Sequence, residues 1–352
     1  MFGSGFVAPV MSRNGRFVLF NTSQPLVAGP PPTVAQTYLR DRLLGITERV
    51  SISTTGEAAN VACSPRGVSD DGRFVLFGSY ATNLSPGGTS SSYDSFVRDR
   101  VLGTTTRVSF ASPLQLGAES DPLEMSPDGR FVLLRWNSLE SLSPLVVVYR
   151  LFLVDRVAGA AEEVTAGVTF ASGQDVWEGS MSDDGSIVAF RTDGSVPGFD
   201  SGGARRLYVR DRLNGQTRGV GANDQGVWAC TGAGTPCGQI AYLSLQLNGG
   251  GRFLSFVSND PSLTDVPLPG SISQVFRFDR LAAEGEADVE LASYSSVAGL
   301  APDWPEWTSI SGDGRTIAFS IVGDGLAPFD SNGFRDVIAK EVWDFIVKTS
   351  GR

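Results

Sequence analysis

The 352-residue chain contains no histidine. That absence removes Ser-His-Asp and Cys-His nucleophile pairs, His-ligated zinc and histidine general bases together. No Gly-x-Ser-x-Gly elbow is present either. Lysine occurs only at Lys340 and Lys348, and 28 basic residues face 38 acidic ones for a net charge of −10. With no basic stripe to meet a phosphate backbone, nucleic acid is not an expected partner. The longest apolar stretch, "PLVVVY" at 144–149, is cut by Arg150 and is far too short to cross a bilayer, so no membrane span is expected and the chain reads as soluble. The opening "MFGSGFVAPVMS" shows neither a basic n-region nor a long apolar h-region. Either the protein stays inside the cell or the chain begins after cleavage. Cysteine is scarce, at three residues. Cys230 and Cys237 flank "TGAGTP" at a spacing that would close a small disulfide ring outside the cytosol, leaving Cys63 over; three reduced thiols are the alternative.

What is abundant points to β-structure. Forty-two glycines and 19 prolines favour many short strands and tight turns over long helices. One phrase recurs: "SRNGRFVLF" (12–20), "SDDGRFVLF" (69–77), "SPDGRFVLL" (126–134), "SDDGSIVAF" (182–190), "GGGRFLSF" (249–256) and "SGDGRTIAF" (311–319). Its anchors Gly15, Gly72, Gly129, Gly185, Gly251 and Gly314 follow one another at 57, 57, 56, 66 and 63 residues. A period that long means stacked supersecondary units.

A second landmark lies 26 to 28 residues after each anchor, at Asp41, Asp99, Asp155, Asp211, Asp279 and Glu341. In the first four units a glycine follows four residues later, and the Asp-Arg-x-x-Gly stretch has hairpin-turn chemistry. Each unit therefore reads as four strands, the second of them apolar without alternation, as a strand buried on both faces should be. Sheets stacked on both sides of such a strand make an all-β, six-bladed β-propeller of four-stranded antiparallel blades. The expected blades span about 1–51, 52–109, 110–166, 167–221, 222–292 and 293–352 of a single domain. Surplus residues fall in 221–239 and 281–291, outside the core strands, and "VWDFIVKTSGR" is expected to supply the last outer strand.

The Ser-x-Asp-Gly-Arg-x-x-x-Phe turn, "NLSPG" (83–87) and "FVRDRVLGTTTRVS" (96–109) together resemble the TolB-type, WD-repeat-like β-propeller repeats of bacterial envelope and secreted proteins. The resemblance covers essentially the whole chain and is clearest in units two to four. It implies a propeller and a periplasmic or extracellular setting; on activity it says little. Nothing before residue 12 corresponds to TolB's additional α/β domain, so the role in that machinery is not carried over. Related repeats often read Asp-x-Asn-Gly-x-x-Asp before the third strand, and unit six keeps this as "DSNGFRD" (330–336). Asp330, Asn332 and Asp336 offer three oxygen-bearing side chains on a loop bent at Gly333, a fit for calcium, the one cofactor suggested. The same residues also suit an Asx turn that needs no ion.

In the first strands the residue before the Ser/Asn landmark is always apolar, at Met11, Val68, Met125, Met181, Leu247 and Ile310, and should pack between blades. By alternation Val10, Gly67, Glu124, Ser180, Gln246 and Ser309, with Ala8, Pro65, Pro122, Glu178, Ser244 and Trp307 two residues earlier, should face the central channel. Glu124 and Glu178 fall in adjacent blades, as a carboxylate pair or as two solvated acids. Trp177, Trp304 and Trp307, with Trp228, read as an aromatic mouth or as blade packing. The expected function is a non-catalytic, monomeric propeller that binds a protein or glycan. The alternative is a histidine-independent, sialidase-like glycosidase, although the predicted channel positions contain no Arg or Tyr.

Overall fold

The computed structural model describes residues 9–29, 31–86, 92–108, 119–142, 145–171, 173–199, 204–222, 244–264, 266–268, 272–282, 288–295, 299–300, 305, 307–322 and 335–342. They form an all-β structure whose helical content is one 3-10 turn, Pro261–Leu263. Six antiparallel sheets are the blades of a six-bladed β-propeller, and the chain divides into two compact units, Met1–Thr165 and Ala166–Arg352, with three blades each.

In the first unit, blade 1 is β1 (Val10–Met11), β2 (Phe17–Thr22), β3 (Gln36–Asp41) and β4 (Ile46–Arg49). Blade 2 is β5 (Cys63–Val68), β6 (Phe74–Ser79), β7 (Asp94–Asp99) and β8 (Thr104–Arg107), and blade 3 is β9 (Ser120–Met125), β10 (Phe131–Leu142), β11 (Leu145–Asp155) and β12 (Ala160–Glu163). In the second unit, blade 4 is β13 (Val176–Met181), β14 (Ile187–Thr192), β15 (Arg206–Asp211) and β16 (Gln216–Gly219). Blade 5 is β17 (Leu245–Leu247), β18 (Phe253–Ser258), β19 (Gln274–Asp279) and β20 (Val289–Leu291). A small hairpin, β21 (Tyr294–Ser295) and β22 (Gly299–Leu300), precedes blade 6, where β23 (Thr308–Ile310), β24 (Thr316–Val322) and β25 (Arg335–Glu341) are described. The expected fourth strand at 342–352 lies beyond the described residues except for Val342. Every blade is a simple meander, so the turn between its first and second strands and the hairpin between its third and fourth lie at one end. The connections between second and third strands lie at the other, and they are long except in blade 3, where two residues separate β10 from β11.

The unalternating apolar strands behave as their pattern requires. In β6, Val75 and Phe77 join the core shared with Leu19 and Leu39 of blade 1, while Leu76 joins Val132 and Leu134 of blade 3. In β18, Leu254 and Phe256 pack with Ile187 and Leu207 of blade 4. Val257 and Phe253 turn instead to Ile317 and Phe319 of blade 6. Blades 2 and 5 are thus each sandwiched within their own unit, and alternate side chains of their second strands serve opposite neighbours.

The recurring turn is a hydrogen-bonded knot. In blade 2, Ser69 Oγ accepts the Phe74 N–H at 2.8 Å and donates to Asp71 Oδ1 at 2.6 Å, which accepts the Arg73 N–H at 2.8 Å. The same three bonds recur around Ser12, Ser126, Ser182 and Ser311. The anchor glycines take φ between +66° and +74°, where a side chain is strained. Lacking Cβ, Gly72, Gly129, Gly251 and Gly314 also receive a side chain of the preceding blade. A Cβ at Gly72 would lie 2.3 Å from the Phe17 ring, and one at Gly129 2.3 Å from the Phe74 ring. The Gly-Arg-Phe phrase therefore encodes both a turn and the aromatic knob that fills the next turn.

Candidate functional site

The repeated charges are consumed by the fold. Arg16, Arg73, Arg130 and Arg252 grip Asp41, Asp99, Asp155 and Asp279 at 2.6, 2.8, 2.6 and 2.7 Å. Each of these aspartates also accepts N–H bonds from its hairpin turn, as Asp41 does from Leu43 at 2.9 Å and Leu44 at 3.1 Å. The Arg16 guanidinium and those N–H groups hold the Asp41 carboxyl down at about 2, and Arg130 with its turn does the same for Asp155. The next arginine, at 42, 100, 156, 212 and 280, donates to the carbonyl of its own blade's anchor glycine. Blade 4 has Ser186 in place of the clamping arginine, and Asp211 there bonds Asn214 instead. These groups splice hairpin to turn and present no free chemistry.

Residues that break the repeat lie toward the other end of the blades, apart from Glu124, which sits beside the recurring turn of blade 3. In the first unit a β-bulge at Leu123 leaves Asp121 paired across from Arg135, and Glu124 from Leu133. The extra residue places Asp121 and Glu124, three apart, on one face, with buried Pro122 and Met125 on the other. Asp121 meets Arg135 at 3.3 Å and Arg66, itself on the β5 bulge, at 3.5 Å. Glu124 meets Arg13 of blade 1 at 3.9 Å. Arg135 is nearly buried and stacks over the Tyr149 ring at 4.5 Å. Beside this cluster, Tyr80 bonds Glu119 at 3.4 Å and packs edge-on to Tyr93 at 4.9 Å. The Tyr93 hydroxyl is pushed up by burial. These ion pairs are longer than the turn clamps and occur in few blades, so repetition does not account for them.

The second unit has a related arrangement. Trp177 is the bulged residue of β13, which sets Glu178 directly across from Arg191 at 3.4 Å. Arg191 and Arg135 occupy the same place in their blades, six residues after the anchor glycine, directly after the four-residue apolar run of the second strand. The Trp177 ring lies under the Arg205 guanidinium at 4.2 Å, Arg205 approaches Asp193 at 3.8 Å, and Asp193 accepts the Asp175 N–H at 2.6 Å. The indole N–H of Trp177 is buried with no hydrogen-bond partner among the described residues.

Strict alternation misplaced several first-strand residues, and the bulges and the packing of neighbouring strands explain why. Gly67 is buried, its Cβ position 3.0 Å from Met125 Cβ, and Pro65 and Pro122 are buried too. Met11 is 58% exposed, while Val10 packs on the blade 1–2 core. Ser180 Oγ accepts the Leu247 N–H at 3.1 Å, Gln246 Oε1 accepts the Ile310 N–H at 3.3 Å, and Ser244 donates to Thr308 O at 2.9 Å. These polar side chains stitch the first strands of blades 4, 5 and 6 to one another. In β23 alternation holds, with Thr308 and Ile310 buried and Trp307 and Ser309 exposed.

Glu124 and Glu178 belong to different units, and each is described with its own arginine. Asp336 sits within β25 opposite Ile321, in a ladder rather than in a loop. Trp228, Trp304, Asp330, Asn332, Cys230 and Cys237 lie outside the described residues. Sequence reasoning missed Arg66, Asp121, Arg135, Tyr149, Arg191 and Arg205. An arginine inside the second strand of two blades was the signal available for two of them. Among the described residues no helix is long and apolar enough to cross a membrane, which says nothing of a β-barrel.

The sequence matches no protein-family model, and no curated protein matches it. Among solved structures it is similar to a provisionally assigned 6-phosphogluconolactonase from Bacteroides uniformis ATCC 8492, at 14% identity over 89% of this chain and 77% of that one, with a TM-score of 0.39. It is also similar to a fungal alcohol oxidase of the AA5 family in complex with copper, at 14% identity and a TM-score of 0.40. That likeness covers 94% of this chain and 61% of the oxidase's length. Neither likeness bears on activity.

Proposed function

We propose that this chain is a non-catalytic, TolB-like propeller that binds a protein or glycan partner at the loop-bearing end of its blades, in the bacterial envelope or outside the cell. One observation carries the proposal. The charged and aromatic side chains that depart from the repeat gather at that end, as Arg66, Asp121, Arg135 and Tyr149 in one unit and Trp177, Glu178, Arg191 and Arg205 in the other. Arginine and aromatic groups held by ion pairs are the residue types that anchor protein hot spots, and a few convergent polar groups among aromatics orient a ligand. Arg66 is the natural probe, because its side chain is 33% exposed and its removal leaves the Asp121–Arg135 pair in place.

The test is binding of the wild-type chain and of Arg66→Glu and Arg205→Glu variants to a glycan array and to fractionated envelope proteins. Retention of a partner that falls at least about tenfold in either variant is the expected result, since a reversed charge at a hot spot costs ~1.4 kcal/mol or more. Equal retention by wild type and both variants would remove the proposal. Turnover of an arrayed glycoside, lost in Glu124→Gln or Glu178→Gln, would move the reading to the histidine-independent glycosidase. Repeating the assay with chelator, and with Asp336→Asn, tests calcium at Asp330, Asn332 and Asp336 as part of the same proposal.

A further inference from the structure

The opposite end of the blades carries a feature that neither the fold nor the partner site uses. Two residues after the hairpin aspartate, each described third-to-fourth-strand turn lifts an apolar side chain into solvent: Leu43, Val101 and Val157 in the first unit, Leu213 and Leu281 in the second. These five are 57 to 80% exposed, and Leu44 and Leu102 stand beside the first two at 62 and 67%. Isolated apolar residues on a surface need no account, but the same solvated position filled by Leu or Val five times does. A polar residue there would keep the turn, because the turn is held by backbone bonds to the aspartate.

In the first unit the three tips stand at one end. Arg42, Arg100 and Arg156 tie their hairpins to Gly15, Gly72 and Gly129. Those turns are joined side by side through Asn14 Nδ2 to Asp70 O at 2.7 Å and Asp70 N to Pro127 O at 2.7 Å.

The geometry points to a lipid bilayer surface as the occupant, with these tips as shallow apolar anchors. Two observations select lipid over a protein partner. First, the tip N–H groups are already bonded: Leu43 and Leu44 to Asp41, Val101 and Leu102 to Asp99, Val157 and Ala158 to Asp155, all at 2.9 to 3.1 Å. Entering an apolar phase therefore exposes none of these six N–H groups unpaired, which lowers the cost the bilayer imposes on backbone donors. Second, the apolar groups stand on separate blades with Asp–Arg clamps between them. A protein hot spot needs a contiguous, packed apolar centre, whereas a fluid bilayer takes each tip independently. The guanidiniums of Arg16, Arg73 and Arg130, with side chains 36, 36 and 46% exposed, clamp the aspartates behind the tips.

The proposal is tested on the full chain by flotation with phosphatidylcholine vesicles, at low and high salt, comparing wild type with a combined Leu43→Ser, Val101→Ser, Val157→Ser variant. Wild type is expected to float at both salt concentrations, since apolar insertion is not screened. The triple variant should partition about a thousandfold more weakly, at about tenfold per buried side chain. These positions are exposed, and unchanged thermal melting verifies the fold of the variant. A separate Val157→Trp chain is expected to partition more strongly, with its added fluorescence quenched by bromolipid. Flotation of the triple variant equal to wild type, or no flotation of wild type, overturns the proposal. So does self-association of wild type that the triple variant abolishes, which would make the tips a contact between copies.

Discussion

Replacing Gly129 with alanine separates the two duties of the anchor glycine. Its φ is +72°, and a left-handed backbone costs a residue with Cβ about 1–2 kcal/mol. A Cβ there would also lie 2.3 Å from Cδ2 of Phe74 and 2.9 Å from Cγ, so a half-buried ring wedged between blades must move. Overpacking of that kind costs a further ~1–3 kcal/mol. Gly103 is the internal control, because its φ is +68° and nothing lies within 4 Å of its Cβ position. Gly103→Ala should therefore lose only about 1–2 kcal/mol, and Gly129→Ala about 2–5 kcal/mol. The reduced entropy of the unfolded alanine chain is common to both and cancels in the difference. Both residues lie in the first unit, so urea unfolding can be compared between them at constant m-value. In a Phe74→Ala background the excess at Gly129 should vanish, giving a coupling of about 1–3 kcal/mol. Equal losses at Gly103 and Gly129, or an excess that survives removal of the ring, would refute docking of one blade's aromatic into the next blade's turn.

Two other consequences can be measured directly. The Asp41 and Asp155 carboxyls sit at about 2 against an ordinary 3.8, chiefly through their bonds to Arg16 and Arg130. Between those values the unfolded chain binds more protons than the native one, so stability rises with pH there. The contribution is complete above about pH 4 and drains away as pH falls toward about 2; Asp41→Asn and Asp155→Asn should each flatten the acid limb of a stability-versus-pH curve. An unchanged slope would mean that the clamps do not act on folding. Burial pushes the Cys63 thiol up to about 12, so with Cys230→Ser and Cys237→Ser in place, a thiol reagent at pH 8 should label the chain only across its unfolding transition. Rapid labelling of the native protein would contradict that burial.

The sequence by itself determined the repeat, the strand count per blade and the identity of the turns. Those are local: Ser-x-Asp-Gly closes its own knot, Asp-Arg-x-x-Gly closes its own hairpin, and an unalternating "FVLF" has to be covered on both faces. The Asp-Arg pairs recur at one place per blade because they perform a duty of the fold in each of them, tying hairpin to turn. What the sequence did not determine was which first-strand side chains meet. One bulged residue at Leu123 reverses the alternation, sends Pro122 into the core and brings Asp121 round to Arg66 and Arg135. A bulge costs no distinctive residue type, so a period of two leaves no trace of it. The partners of Glu124 and Glu178 lay equally out of reach. Arg13 belongs to another blade and Arg191 to the next strand, and only the packing of strands distant in sequence decides which guanidinium each carboxylate finds.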